Sequence, residues 1–341
     1  MTSFLLTALA AIDRSKRTPG RLMRSARYGA GLIVLVLFSA CSDSSPRSSY
    51  ELAAQGIYTG SLSADGQYAL IGSLNHGASL WRTDHERLYN WSHEAGEVTD
   101  LVATGFSPDG SQAVTTDPRT LVVWDTASGA GLAYWTTPAA VMDVTLLPAG
   151  RGVLMGLKDH SAVLFDAESG DHLHTMLHEG VVGSVAVDAQ GRFALTGSDD
   201  ETARLWDLAD GELLQTFTHD NPVRVVALSD SGDRAFSAAQ NRQVVIWDTA
   251  TGLALHTLSE RNNGITAARF SPDEQLLLIG FVNRRVELWN VQQGKLIDSW
   301  NTKSRKPMHA TGAAILAVGF RSNRQFYALA GDGRLVELIP G

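Results

Sequence analysis

The amino-acid sequence predicts an all-β fold, a seven-bladed β-propeller of four-stranded antiparallel blades, its ring closed by pairing of the N- and C-terminal strands. Three observations predict it. Six short phrases centred on an aromatic residue recur, at Trp81, Trp124, Phe165, Trp206, Trp247 and Trp289, spaced 43, 41, 41, 41 and 42 residues apart. Seven alternating apolar strand starts can be counted, near Ile57, Leu101, Val141, Val182, Val223, Ile265 and Ile315. A seventh, degenerate phrase, GDGRLVELIPG, ends the chain one strand short, and residues 50–55 precede the first inner strand and are free to supply it. A fixed period of this length marks repeated supersecondary units that bury a core only by packing on one another. Closing the ring leaves no open gap between the first and last sheets.

Composition agrees with this fold and narrows the function. Hydrophobic residues make up 44% of the 341, enough for a substantial core, and 32 glycines between short apolar runs suit an all-β chain of tight turns. Residues 1–41 carry six Lys/Arg and one Asp, so the remainder holds 22 basic and 35 acidic residues, a net charge of −13. A body that acidic is a poor partner for nucleic acid, which needs a positive footprint. The single cysteine, Cys41, excludes an intrachain disulfide without excluding an oxidising compartment.

Along the chain, residues 1–22 fit poorly: residues 4–12 are apolar but follow no basic residue. Met23 starts a complete signal by itself, so residues 1–22 read as a mis-assigned upstream extension. Residues 23–40 have the anatomy of a secretory signal peptide, with Arg24 and Arg27 in a basic segment, an apolar run over 30–38, and the small pair Ser39 and Ala40. A small pair followed by cysteine resembles the lipobox of bacterial lipoproteins, although Phe38 stands where that motif usually has Leu. The resemblance implies cleavage before Cys41 and acylation of that residue. The alternative, an uncleaved anchor, has only eleven apolar residues at 30–40, where about 20 are needed to span a bilayer. Ser42 after the cysteine favours the outer membrane on the same resemblance, with Asp43 one place later weakening the inference. Residues 41–49 then read as the lipidated cysteine and a Ser-rich flexible tether, and residues 50–341 as the propeller.

The phrases SLWRTD, VVWDTASG, VLFDAESG, RLWDLADG, VIWDTATG and ELWNVQQG, with turns such as SPDG at 107–110, resemble the WD repeat over residues 50–341. In that family a tryptophan of the third strand joins a Ser/Thr of the second strand, a turn Asp and a His before the first strand. The resemblance implies such a structural tetrad from His178, Ser198, Asp200 and Trp206. Elsewhere it decays. His93 and His219 persist, but the turn position holds Asn75, Pro118, Asp159, Asn241 and Asn283, so most blades are expected to rest on apolar packing.

Reactive constellations are sparse. His172, His174 and His178 in HLHTMLH lack a carboxylate or cysteine to complete a metal set; His172 and His174 read as residues of an outer strand that leads to His178. Asp200 reads as a turn residue and Asp199 as its exposed neighbour, rather than the two as an acid–base pair. No nucleophile-elbow, phosphate-loop or zinc-protease motif is present. No catalytic, cofactor or metal residues are therefore expected, and no enzyme. The family resemblance places Asp117, Lys158, Asp199, Arg224 and Gln240 on the top rim as candidate partner contacts, with an ordinary solvated rim as the alternative. The expected function is a non-catalytic scaffold for protein or peptide partners, lipid-anchored in a bacterial envelope and facing the periplasm. A propeller that binds a small molecule or acts as an enzyme through its central channel is the competing reading. Fold alone does not decide between them.

Overall fold

The computed structural model describes residues 44–54, 56–73, 77–94, 99–240, 243–259, 264–302 and 314–341. The upstream extension, the signal segment and Cys41 lie outside the described residues, as do Asn75 and Asn241.

Seven four-stranded antiparallel sheets are formed among the described residues. Blades 1 to 6 are each a meander of four consecutive strands, covering residues 57–91, 103–136, 141–177, 182–218, 223–259 and 265–301. Blade 7 takes three strands from the carboxyl end, over 315–338, and its outermost strand, Ser48–Glu51, from the amino end. Tyr50 lies opposite Leu335 and Ser48 opposite Glu337. The inner strands pack in succession, and that of blade 7 packs against that of blade 1, which closes the ring.

Burial falls off outward from the second strand of each blade. Phe193–Ser198, the second strand of blade 4, is buried at every position after the first. Its run of apolar and small residues is what a strand covered on both faces requires. The outer strand of the same blade, Leu213–Thr218, is mostly exposed and buries only Phe217 fully. The cores therefore lie between blades rather than within them. Trp91 of blade 1 and Trp124 of blade 2, for example, stack with centroids 4.9 Å apart.

The recurrent Asp-x-x-x-Gly after the aromatic makes the hairpin between third and outer strands. In blade 4, Asp207 accepts the Ala209 N–H on its side chain at 2.8 Å and the Gly211 N–H on its carbonyl at 2.9 Å. Gly211 has φ +78°, a conformation costly for any residue with a Cβ. A methyl here would also lie 2.8 Å from Nδ1 of His174, which reaches across from blade 3. Outer-strand residues thus cap the turn of the next blade. Tyr89 Oη donates to Ala127 O at 2.6 Å, and Trp135 Nε1 donates to Ala167 O at 2.9 Å.

Two expectations need correction here. Residues 44–49 are not a free tether. The Ser44 N–H donates to Ser299 O at 2.8 Å, the Arg47 N–H to Glu337 O at 2.9 Å, and Ser48 and Ser49 belong to the closing strand. That strand also begins two residues before the expected Tyr50 and ends at Glu51. Backbone donors of the amino-terminal segment meet unpaired carbonyls on the open edges of blades 6 and 7, and pairing outweighs the flexibility that the serines suggest.

Candidate functional site

The top face carries the connections from each outer strand to the next inner strand, together with the turns between second and third strands. In blade 4, His178 sits on the first kind of connection and Asp200 on the second. His178 Nδ1 lies 2.9 Å from Asp200 Oδ2, and His178 Nε2 lies 2.7 Å from Thr196 Oγ1. The Trp206 indole N–H donates to the same Thr196 oxygen at 2.9 Å. Arg204 Nη2 adds a 3.2 Å bond to Asp200. The structure thus brings together three of the four expected residues, with Thr196 in the place assigned to Ser198. Ser198 Oγ instead donates to Gly180 O at 3.0 Å and accepts the Asp200 N–H. The two hydroxyls share one face of the strand, being two residues apart. Trp206 pairs with Ala194, and its ring leans only as far as Thr196.

Burial holds His178 below its ordinary pKa, and Asp200 only partly offsets this. Burial would raise Asp200, but hydrogen bonds from Thr202, the Glu179 N–H and His178 bring it down to about 2. Every member of the cluster is bonded, the condition under which a buried polar network stabilises a fold.

Two further blades carry a variant. In blade 2, His93 lies 3.0 Å from Thr115 Oγ1, which accepts the Trp124 N–H at 2.9 Å. Asp117 is the acid of this clasp, with Oδ2 3.6 Å from His93 Nδ1 and bonded to Thr120. Asp117, expected as a free rim contact with Pro118 at the turn position, is therefore a structural residue. The hairpin here is one residue shorter than in blade 4, which moves the acid one place earlier. In blade 5, His219 and Trp247 both bond Ser237 Oγ at 2.7 Å. Burial holds His93 and His219 below their ordinary pKa as well.

Blade 6 solves the problem differently. The Trp289 N–H donates to Glu287 Oε2 at 3.0 Å, and Arg285 Nε lies 2.7 Å from Glu287 Oε1. Sequence reasoning missed this pair. Its signal is an acid two residues before the tryptophan.

The remaining rim candidates lie on the top face. Asp199 and Arg224 form an exposed ion pair of 2.6 Å between blades 4 and 5. Lys158 and Gln240 are exposed at the corresponding turns of blades 3 and 5. A depression of about 420 Å³ between blades 5 and 6 is lined by Arg224, Ala239, Gln240, Gly264, Ile265 and Val282. Arg224, Asp199 and Gln240 thus gather around one sector, and Lys158 stands one blade away.

The central channel, about 310 Å³, is more polar than its apolar strands suggest. Asp143 accepts the Val144 N–H on Oδ1 and the Val185 N–H on Oδ2, each at 2.9 Å, tying blade 3 to blade 4. Ser184 accepts the Val226 N–H at 3.1 Å, tying blade 4 to blade 5. Burial lifts the Asp143 carboxyl from 3.8 to about 6 against those bonds. Toward the opposite mouth, Arg269 donates to Leu62 O at 3.0 Å, and burial lowers its pKa while Asp230 and Asp65 oppose that shift. No group of three or more His, Cys, Asp or Glu suited to a metal ion occurs among the described residues.

Comparison with known proteins finds WD40 repeats in the chain. The model described as "WD domain, G-beta repeat" matches residues 86–125, 170–207 and 211–248. The model described as "Anaphase-promoting complex subunit 4 WD40 domain" matches residues 239–323. No curated protein matches the chain. The three WD-repeat stretches end one residue past Trp124, Trp206 and Trp247, the tryptophans of the three histidine clasps.

Proposed function

We propose, for a chain in which WD40 repeats close a seven-bladed ring, a non-catalytic scaffold that docks protein or peptide partners on its top face and is held to a bacterial envelope by lipid on Cys41. WD40 domains commonly bind protein partners. The observation that carries the docking role is the depression between blades 5 and 6, lined by Arg224 and Gln240, with Asp199 paired to Arg224 beside it. It offers both signs of charge at its edge and apolar contacts from Ile265 and Val282 within, a composition suited to a peptide segment.

Anchoring rests on the sequence: a basic, apolar and small-residue signal that ends in the chain's one cysteine. Several acyl chains would hold the protein firmly where a single chain binds marginally. The favoured location is the outer membrane, facing the periplasm.

Crosslinking in native membranes followed by purification of the tagged protein tests the scaffold reading. A stoichiometric protein partner is expected. Recovery of a bound metabolite without any stoichiometric protein would sink it. That outcome would favour a small-molecule site in the channel, the second reading, which Asp143, Asp230 and Arg269 support because all three line the cavity.

A further inference from the structure

We infer that the outer strand of blade 6, Lys295–Asn301, lies against the phospholipid surface, so that the propeller is docked by its perimeter and both flat faces stay open to solvent. The inference rests on the lipid-anchor reading of Cys41 and adds an orientation to it.

The length of the leader decides the matter. A free tether from Cys41 to Tyr50 would span up to about 32 Å at 3.6 Å per residue, and the disc could tumble below it. The structure removes most of that length. Ser44 is fixed beside the outer strand of blade 6 by a parallel bridge to Trp300, by its N–H to Ser299 O at 2.8 Å, and by its hydroxyl to Asp298 Oδ1 at 2.7 Å. Two residues, or three steps along the chain, then separate this fixed point from the cysteine, a reach of at most about 11 Å. The headgroup layer is itself about 6 Å deep on each side of the hydrocarbon. A cysteine acylated in that layer therefore holds Ser44, and the strand it pairs with, at the membrane boundary.

The surface at that point suits the placement. Leu296 and Ile297 are 41% and 48% exposed, and Lys295 is exposed beside them. The acids nearest the exit point are already engaged. Asp298 accepts from Ser44 and from the Gly341 N–H, and Glu337 is paired with Arg47 at 3.2 Å. Exposed apolar pairs occur on other outer strands too, such as Leu213 and Leu214 on blade 4. Apolar surface alone selects no blade. The point where the leader is pinned selects blade 6.

The test uses the full lipidated chain, made in cells and reconstituted into phosphatidylethanolamine–phosphatidylglycerol vesicles that contain doxyl-labelled phospholipid. Acylation consumes the Cys41 thiol, so Leu296→Cys and Leu173→Cys each supply a single free thiol for a fluorophore, on blades 6 and 3 across the ring. Quenching severalfold greater at 296 than at 173 is expected. Inserting twenty Gly/Ser residues after Ser42 should bring the two to equality. Equal quenching at both positions in a chain that sediments with the vesicles overturns the placement alone. A chain that does not sediment overturns the anchor and the placement with it.

Discussion

Thr196 Oγ1 accepts from the Trp206 indole and donates to His178 Nε2, whose ring proton goes to Asp200, so one hydroxyl satisfies a buried donor and a buried acceptor in the core of blade 4. Thr196→Val keeps the shape and orphans both partners, and should cost about 1–3 kcal/mol. Trp206→Ala leaves a cavity and should cost about 3–5 kcal/mol. Ser198→Ala loses its bond to the Gly180 carbonyl and the one from the Asp200 N–H, both part-buried at the blade rim, and should cost about 1 kcal/mol. Urea unfolding of the three variants checks the order, and a Ser198 change worse than the Thr196 change would contradict it. Protonation adds a second test. His93, His178 and His219 are held below 6.5 by burial, so the unfolded chain takes up protons that the fold resists. Their contribution is whole above pH 6.5 and is lost as pH falls below it. Asp143 runs the other way. Its carboxyl is raised from 3.8 to about 6, so over that window the fold binds a proton that the unfolded chain has released, and acidification relieves a penalty. Asp143→Asn removes that relief. Between pH 7 and pH 5 the variant should lose more stability than the parent, and an equal or smaller loss in urea titrations would refute the assignment.

Hairpins and edges set the behaviour of each element. The turn between third and outer strands joins an aspartate that bonds backbone N–H groups, a glycine at positive φ, and a side chain from the preceding blade laid over that glycine. At Gly170 a methyl would sit 2.6 Å from the Trp135 ring at φ +75°. Gly170→Ala therefore combines backbone strain with a clash against a rigid aromatic and should cost about 2–4 kcal/mol, read by thermal or urea unfolding. A cost near zero would show that the inter-blade cap is loose. The closing strand is the other sensitive element. Without Ser48–Glu51, the strand Arg334–Leu338 exposes an unpaired edge, and that edge recruits other chains. Deleting residues 44–51 should produce oligomers or aggregates in size-exclusion chromatography. A monodisperse, unchanged monomer would mean that the ring does not depend on this strand.

The described body is a closed ring whose blades are stitched on the inside by Asp143 and Ser184 and on the outside by Tyr89, Trp135 and their counterparts. Arg224→Glu breaks the exposed pair with Asp199 and reverses the charge beside the depression. Stability should change by no more than about 0.5–1 kcal/mol, since exposed pairs contribute little. Recovery of crosslinked partner should fall severalfold. Undiminished recovery would move the docking site away from this sector. At the amino terminus, Cys41→Ser should release the protein from membranes or leave the signal uncleaved. Normal cleavage with full membrane retention would refute the lipid attachment.

The sequence by itself determined the blade count, the strand order and six of the seven inner-strand starts, at Ile57, Val141, Val182, Val223, Ile265 and Ile315. It could do so because those features are local and periodic: apolar alternation, a turn aspartate and a glycine, repeated at a constant interval. Blade 2 starts at Ala103 rather than near Leu101, in the copy whose hairpin is one residue short. Tertiary structure alone decided which hydroxyl serves Trp206, that Asp117 belongs to a clasp, that Glu287 replaces the histidine set in blade 6, and that Asp143 and Arg269 face the channel. It also turned the supposed tether into part of the ring. Each of these depends on which side chains from different strands or blades come within bonding distance. Reach along a sheet diagonal, hairpin length and contact across a blade boundary are settled in three dimensions, and the repeat pattern carries no record of them.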